Sequence, residues 1–345
     1  MCITVDSSRA RDVIGVFGSS PKVIVVAEIG NNHEGDFGLA RELVAAAAAC
    51  GSDAVKFQHF VPNRFVSASE TNRLLRLRQY ALSNDEMLSL FEYSNELGLE
   101  PFATGLDIET QKWLIRNQRV LKIASGDNNF LDLLKVSGES EIPTIISTGF
   151  LDMQEITELE NWWRKQFVTS LAFLHCVAAY PASSSDLNLR TIATLSNLMP
   201  ATPIGYSDHS IGNTAALAAV SLGAFMIEKH FTLDHNHSDF RDHKLSATPE
   251  ELAELIVAVR VLECSLGNGR KIVTTDEKSL KEAVRRSAAA KHELPMGRRL
   301  SKDDIIYLRP GSGFQPNREA ELLGRVLIRS VPAGQIIVEQ DLNQP

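Results

Sequence analysis

The sequence predicts a (β/α)₈ barrel followed by a small β-rich domain. Three observations carry that reading. Eight short apolar runs recur between residues 22 and 266, and a helix-like stretch follows each. Regular β-then-α alternation of that kind means parallel strands joined by crossover helices. None of the runs opens into a GxGxxG, and a doubly wound open sheet is the second choice. From about Ser287 the texture changes to short β-like runs between Pro and Gly turns.

Residues 1–21 read as a polar lead-in ending at Ser19-Ser20-Pro21. The first strand is Val23–Ile29, a continuous apolar run of the kind buried on both faces. The loop Gly30-Asn31-Asn32-His33-Glu34-Gly35 follows, then an Ala-rich helix over Phe37–Cys50 stopped by Gly51. The second strand is Ala54–Gln58. Residues 59–82 read as a long polar loop, and Ser83-Asn84-Asp85-Glu86 reads as a helix N-cap. Strands three to six are Glu100–Thr104, Val120–Ala124, Thr144–Ser147 and Leu171–His175. Helices are expected near Ile108–Arg116, Phe130–Val136, Met153–Gln166 and up to Leu198. Strands seven and eight are Ile204–Ser207 and Phe225–His230, with a helix over Thr214–Leu222 between them. A polar loop, Thr232–Ser246, leads to a last helix over Pro249–Leu266, capped by Ala247-Thr248-Pro249.

The barrel thus spans residues 22–266. Residues 267–286 are charged and rich in turn formers, a linker with some helix. Residues 287–345 form the small domain, with β-like runs at Ser287–Lys291, Ile305–Leu308, Val326–Ser330 and Ile336–Val338. A domain of that size has a thin core.

Composition narrows the function. At 44% hydrophobic and 23% charged, the 345-residue chain is globular. A formal net charge of −8 argues against nucleic acid or an anionic membrane as a general partner. An anionic substrate therefore needs a local cluster of cations. The four cysteines are scattered, without a CxxC, which fits free thiols in a reducing cytoplasm. No run reaches transmembrane length and the N-terminus has no signal-peptide pattern.

In such a barrel the chemistry lies at the C-terminal ends of the strands. Glu28, Lys56, Gln58, Thr104, Lys122, Ser125, Ser147, His175, Ser207, His209, Glu228 and His230 all fall there. Residues two apart on a strand share a face, so Lys56 aligns with Gln58, Ser207 with His209, and Glu228 with His230. Two lysines among hydroxyls describe an anion cradle for phosphate plus carboxylate. Two histidines at the ends of successive strands, with a glutamate near, describe an open divalent-metal site acting as a Lewis acid. Glu28 has a plainer alternative, a structural ion pair with a lysine. Cys176 has no base at a diagnostic spacing and reads as a small buried residue. Closure of the barrel places Glu28 near His230. Spacing alone reaches metal-assisted chemistry on a phosphorylated acid, and stops there.

At these same positions the sequence resembles the sialic acid synthase family. That family includes pseudaminic and legionaminic acid synthases and the spore coat polysaccharide biosynthesis protein E type. The matching stretches are AEIGNNHEGD (27–36), DAVKFQ (53–58), LKIASGD (121–127), IISTG (145–149), HCVAAYP (175–181), GYSDHSIGNTAALAAVSLGA (205–224) and EKHFTLD (228–234). The likeness resumes in LRPGSG (308–313) and VPAGQII (331–337). The resemblance implies a TIM barrel joined to an antifreeze-like (SAF) domain. It implies a transferase that condenses phosphoenolpyruvate with the aldehyde of an N-acetylated amino sugar, releasing phosphate. It implies that Lys56, Thr104, Lys122, Ser125, Ser147 and Ser207 hold phosphoenolpyruvate. His209 and His230 would hold Mn²⁺ or Mg²⁺, and Glu28 would handle a proton or orient water. Gln58, Tyr180 and Asp242 would contact the sugar. Arg309 would reach the sugar of the partner in a domain-swapped homodimer.

The departures cluster on the sugar side. Ala178 stands where the sialic acid members carry Asn. Thr104-Gly105-Leu106-Asp107 replaces Thr-Pro-Phe-Asp, and Asp127 replaces the glutamate of the SGE version. The stretch His237-Ser238-Asp239-Phe240-Arg241-Asp242 replaces Gly-Pro-Asp, so Asp242 is matched across a gap. The loop after the second strand is short. These changes predict a modified sugar rather than plain N-acetylmannosamine. The competing readings are another metal-dependent barrel aldolase and a sugar-binding or assembly subunit without activity.

Overall fold

The structure, a computed structural model, describes residues 13–17 and 22–344. Eight parallel strands close a barrel in chain order. They are β1 (Ile24–Gly30), β2 (Ala54–His59), β3 (Glu100–Gly105), β4 (Leu121–Ile123), β5 (Thr144–Ser147), β6 (Leu171–Cys176), β7 (Ile204–Asp208) and β8 (Met226–His230). Closure pairs Glu28 of β1 with His230 of β8, and Glu28 also pairs with Lys56 of β2.

Strand alternation sorts each run into two layers. Val25, Ala27, Ile29, Val55, Phe57, Ala103, Ile123, Ile146, Phe173, Tyr206 and Ile227 pack outward under the helices. Ile24, Val26, Ala54, Phe102, Ile145, Ala172, Leu174 and Met226 fill the lower interior. Gly205 belongs to this inner set. A Cβ there would lie 2.6 Å from Leu174 Cδ2 and 2.8 Å from the Met226 carbonyl oxygen. Higher up, the same inward phase delivers Glu28, Lys56, Lys122, Ser207 and Glu228.

The helices start where the sequence expects. Asp36 accepts from Leu39 N, Ser83 and Glu86 form a capping box, and so do Thr248 and Glu251 ahead of Pro249. The outward strand positions also hold a buried ion pair. Lys229 Nζ lies 2.9 Å from Asp208 Oδ2 and donates to the carbonyls of Ser210 and Gly212, joining β8 to the loop after β7.

Several expectations are corrected. Residues 59–82 are not a structureless loop: they carry helices Pro62–Phe65 and Thr71–Tyr80. Leu74, Leu77 and Tyr80 are buried, and Leu77 joins Phe60, Val66 and Leu106 in a small core. Within the expected lead-in, residues 13–17 make a helical turn. Val13 is fully buried at the barrel floor, and Phe17 meets Phe102 edge-on with ring centroids 6.0 Å apart. The boundary at Ser19-Ser20-Pro21 and Cys2 lie outside the described residues. The other three cysteines are free thiols.

The chain divides into two compact units after Gly269. The second opens with helix Thr275–Val284, followed by an antiparallel pair, β9 (Ser287–Ala290) and β10 (Ile305–Leu308). Leu294, Leu300, Leu322, Leu327, Val331 and Ile337 form its core. The runs expected as strands at Val326–Ser330 and Ile336–Val338 make only isolated bridges, such as Arg299 to Val326 and Ala289 to Ile336. Buried aspartates help order this thin core: Asp304 accepts from Ser301 N and Arg298, and Asp341 from Val338 N and Arg329. Among the described residues no helix is long and apolar enough to cross a membrane.

Lys229→Met leaves Asp208 buried without its cation. The expected loss is about 3 kcal/mol or more in urea unfolding; an unchanged midpoint would show that the pair does not hold β7 to β8.

Candidate active site

Four buried charges occupy the upper interior of the barrel. Lys56, Lys122, Glu28 and Glu228 are each 5% exposed or less. Lys56 Nζ sits 2.8 Å from Glu28 Oε2 and 3.6 Å from Glu228 Oε1, and Lys122 Nζ is 3.8 Å from Glu228 Oε2. Hydroxyls complete the set. Lys122 donates to Ser147 Oγ at 2.7 Å, Lys56 to Thr104 Oγ1 at 3.5 Å, and Ser207 to Glu228 at 2.9 Å.

Environment tunes each group differently. Burial disfavours the Lys56 ammonium, but Glu228 and Glu28 outweigh it and raise the pKa. Lys122 is lowered by burial, with Lys56 adding to the effect. Burial raises Glu28 despite Lys56, so its carboxyl is the readier of the two to take a proton. Glu228 is lowered, because Lys122 and Lys56 together overcome burial.

Above this layer lies an aromatic rim. The His209 and His230 rings are 5.3 Å apart, and the Tyr180 ring is 4.1 Å from His209 and 6.0 Å from His230. His209 Nδ1 lies 2.9 Å from the Val177 carbonyl; burial disfavours its cation, but Cys176 and that carbonyl outweigh burial and raise its pKa. Burial and the nearby His209 push His230 well below the usual imidazole range, so its ring is neutral. His230 Nδ1 is buried with no hydrogen-bond partner. A neutral ring with an orphaned nitrogen beside a second imidazole fits a divalent cation.

The remaining barrel residues gather nearby. Gln58 donates to Glu28 Oε1 at 3.4 Å and accepts from Asn31. Ser125 Oγ accepts from Gly149 N, where a Cβ would lie 2.6 Å from that same oxygen. Asp242 is buried, which raises its pKa, and accepts from Arg241. Arg241 lies over the Tyr180 ring, 4.7 Å from its centroid. Arg309 follows β10 in the second unit, exposed to solvent.

Three residues add to or change their sequence reading. His175 faces outward: it stacks on Tyr206 and its Nε2 lies 2.7 Å from the Leu187 carbonyl. Cys176 is the inward neighbour, its Sγ 3.7 Å from His209 Nδ1, and its pKa is lowered, against burial, by that contact. Glu228, read as a companion of the histidines, is instead the anion shared by the two lysines.

The NeuB family model matches residues 43–271. The chain belongs to the NeuB family. A SAF domain model matches residues 285–343. An N,N′-diacetyllegionaminic acid synthase of Legionella pneumophila is 36% identical over 350 residues, covering 96% of this chain and 98% of that protein. A human N-acetylneuraminate-9-phosphate synthase is 32% identical, covering 94% and 93%. The crystal structure of an N-acetylneuraminic acid synthetase of Leptospira borgpetersenii superposes with a TM-score of 0.71 at 33% identity, over 75% of this chain and 90% of that one. As a NeuB family member the chain is a barrel synthase with a C-terminal SAF domain.

The two lysines and two glutamates balance in charge. Replacing Glu228 with Gln removes one negative charge and should strengthen binding of inorganic phosphate about tenfold. Calorimetric titration measures it; weaker or equal binding would mean Glu228 does not oppose anions in this interior.

Proposed function

We propose that this protein condenses phosphoenolpyruvate with the open-chain aldehyde of an N-acetylated amino sugar, giving a nine-carbon 2-keto acid and phosphate. The observation carrying the reading is one barrel interior that layers two lysines beneath two imidazoles, in a member of the NeuB family. The relatives' names, legionaminic acid and N-acetylneuraminate-9-phosphate synthases, supply the substrate classes.

Lys56 and Lys122 offset the phosphate and carboxylate charge of phosphoenolpyruvate, and Thr104, Ser125, Ser147 and Ser207 supply further hydrogen bonds. His209 and His230 hold a divalent ion, Mn²⁺ or Mg²⁺, which when bound polarises the aldehyde oxygen. Tyr180, Gln58 and Asp242 orient the sugar, fixing its carbonyl carbon against the enol carbon. When that carbon–carbon bond forms, positive character develops at the phosphate-bearing carbon. Glu28, whose carboxyl burial makes more basic, takes a proton from the water that adds there. Collapse of the tetrahedral centre breaks the bond to phosphate and leaves the keto acid. The reading extends to a domain-swapped homodimer in which Arg309 meets the partner's sugar, and to a cytoplasmic enzyme.

The deciding experiment is phosphoenolpyruvate-dependent phosphate release across N-acetylated amino sugars, with chelator and with added Mn²⁺. Turnover should vanish with chelator and return with metal, favouring a modified sugar over N-acetylmannosamine. Release that ignores the sugar, or survives chelation, would defeat the reading. His230→Ala should lower kcat by about a hundredfold; full activity would remove the histidine pair from the chemistry. Arg309→Ala should raise the sugar KM more than that of phosphoenolpyruvate; equal shifts would make Arg309 structural.

A further inference from the structure

A second cluster of cation-binding side chains lies outside the site above. Glu34, from the loop after β1, meets His237 and His243, from the loop after β8, with ligand atoms all within 4.8 Å of one another. We propose that Glu34, His237 and His243 form a second divalent-metal site, selective for a zinc-like transition ion, that ties these two loops together.

The hydrogen bonds favour this. Thr232 Oγ1 donates to the Asp234 carbonyl at 3.1 Å, so its lone pair faces His243 Nδ1 at 2.7 Å and accepts that nitrogen's proton. This tautomer, assigned from the network, leaves the His243 Nε2 lone pair 3.0 Å from Glu34 Oε1. Two electron pairs at that distance need a positive charge between them. The surroundings orient the ligands as bound metals require. Thr232 fixes the buried His243 ring, Tyr80 OH donates to Glu34 Oε2 at 3.3 Å, and Ser238 donates to Glu34 Oε1.

His237 completes the set, its ring centroid 5.1 Å from that of His243. It is exposed, so a change of rotamer can bring it to the bonds of about 2.0–2.2 Å that a shared ion needs. Both Glu34 and His237 line a cleft of about 320 Å³. Asp36 and Glu42 line it too and add negative potential that draws cations. Two imidazoles and one carboxylate suit Zn²⁺ or Co²⁺, whereas Mg²⁺ and Ca²⁺ favour all-oxygen shells. Three protein ligands leave a position for water. His237 and Ser238 come from the stretch that replaces Gly-Pro-Asp, so the departure that lengthens this loop also supplies its metal chemistry. His243 follows Asp242 directly, and an ion bound here fixes the turn that carries Asp242.

The test is equilibrium dialysis of the full chain against Zn²⁺, with metal counted per chain. His237→Ala should lose one equivalent relative to the unaltered protein, and Glu34→Gln should bind that equivalent about tenfold or more weakly. The same equivalent should persist when His209 and His230 are both alanine, which separates this ion from the one proposed for catalysis. Co²⁺ should give visible absorption bands that His237→Ala abolishes. The exposed His237 makes its alanine variant safe for folding, checked by an unchanged melting temperature in chelator. Equal zinc stoichiometry in the His237→Ala and unaltered chains would overturn the proposal, with a protonated His243 then serving as the positive charge beside Glu34.

Discussion

Everything in the upper barrel depends on keeping two ammonium groups out of water. An unpaired buried charge costs several kcal/mol, so Lys56 and Lys122 persist only because Glu28 and Glu228 lie within 4 Å of them. The balance is specific in form. Glu28 serves Lys56 alone at close range, while Glu228 divides itself between both lysines. An incoming anion therefore does not meet bare cations. It must take over as partner to the lysines while the carboxylates accept protons or other contacts. The raised pKa of Glu28 makes it the natural place for such a proton.

The barrel is what lets this cluster exist. Successive inward positions on each strand climb from hydrocarbon to charge to imidazole. On β8 the climb is Met226, Glu228, His230, and on β1 it is Ile24, Val26, Glu28. The apolar floor excludes water beneath the lysines, and the outward layer under the helices fixes the strands. The Asp208–Lys229 pair shows the same rule on the opposite face: a buried cation is tolerated because an anion and two carbonyls surround it.

Much of this was legible in the sequence, because a period of two fixes side-chain direction once a strand is recognised. Eight runs imply the fold class, and closure of the barrel implies that Glu28 lies beside His230, as β1 and β8 pair them. The failures have physical causes. Residues 59–82 hid a helix because Arg73, Arg76 and Arg78 interrupt the apolar spacing of Leu74, Leu77 and Tyr80. His175 reads as a strand-end site residue, but it shares its face with the outward Phe173, and Cys176 shares the inward face of Leu174. The Cys176–His209 contact spans two strands and depends on their register, which one sequence does not state. Glu228 was recognised as inward, but whether it serves cations or imidazoles is a matter of ångströms. In the second unit, apolar runs became isolated bridges because turns and buried aspartates, rather than strand ladders, organise so small a core.

The helical turn at residues 13–17 stoppers the barrel's lower end, with Val13 and Phe17 seated on its apolar floor. With the base filled by these side chains, the lysines are approached from the rim at the C-terminal ends of the strands. Under the proposed reaction, the reactant that settles at the lysines must pass the imidazole rim before the sugar arrives and blocks it. Traffic is then sequential, with the deep guest admitted first, and product-inhibition patterns would report that order.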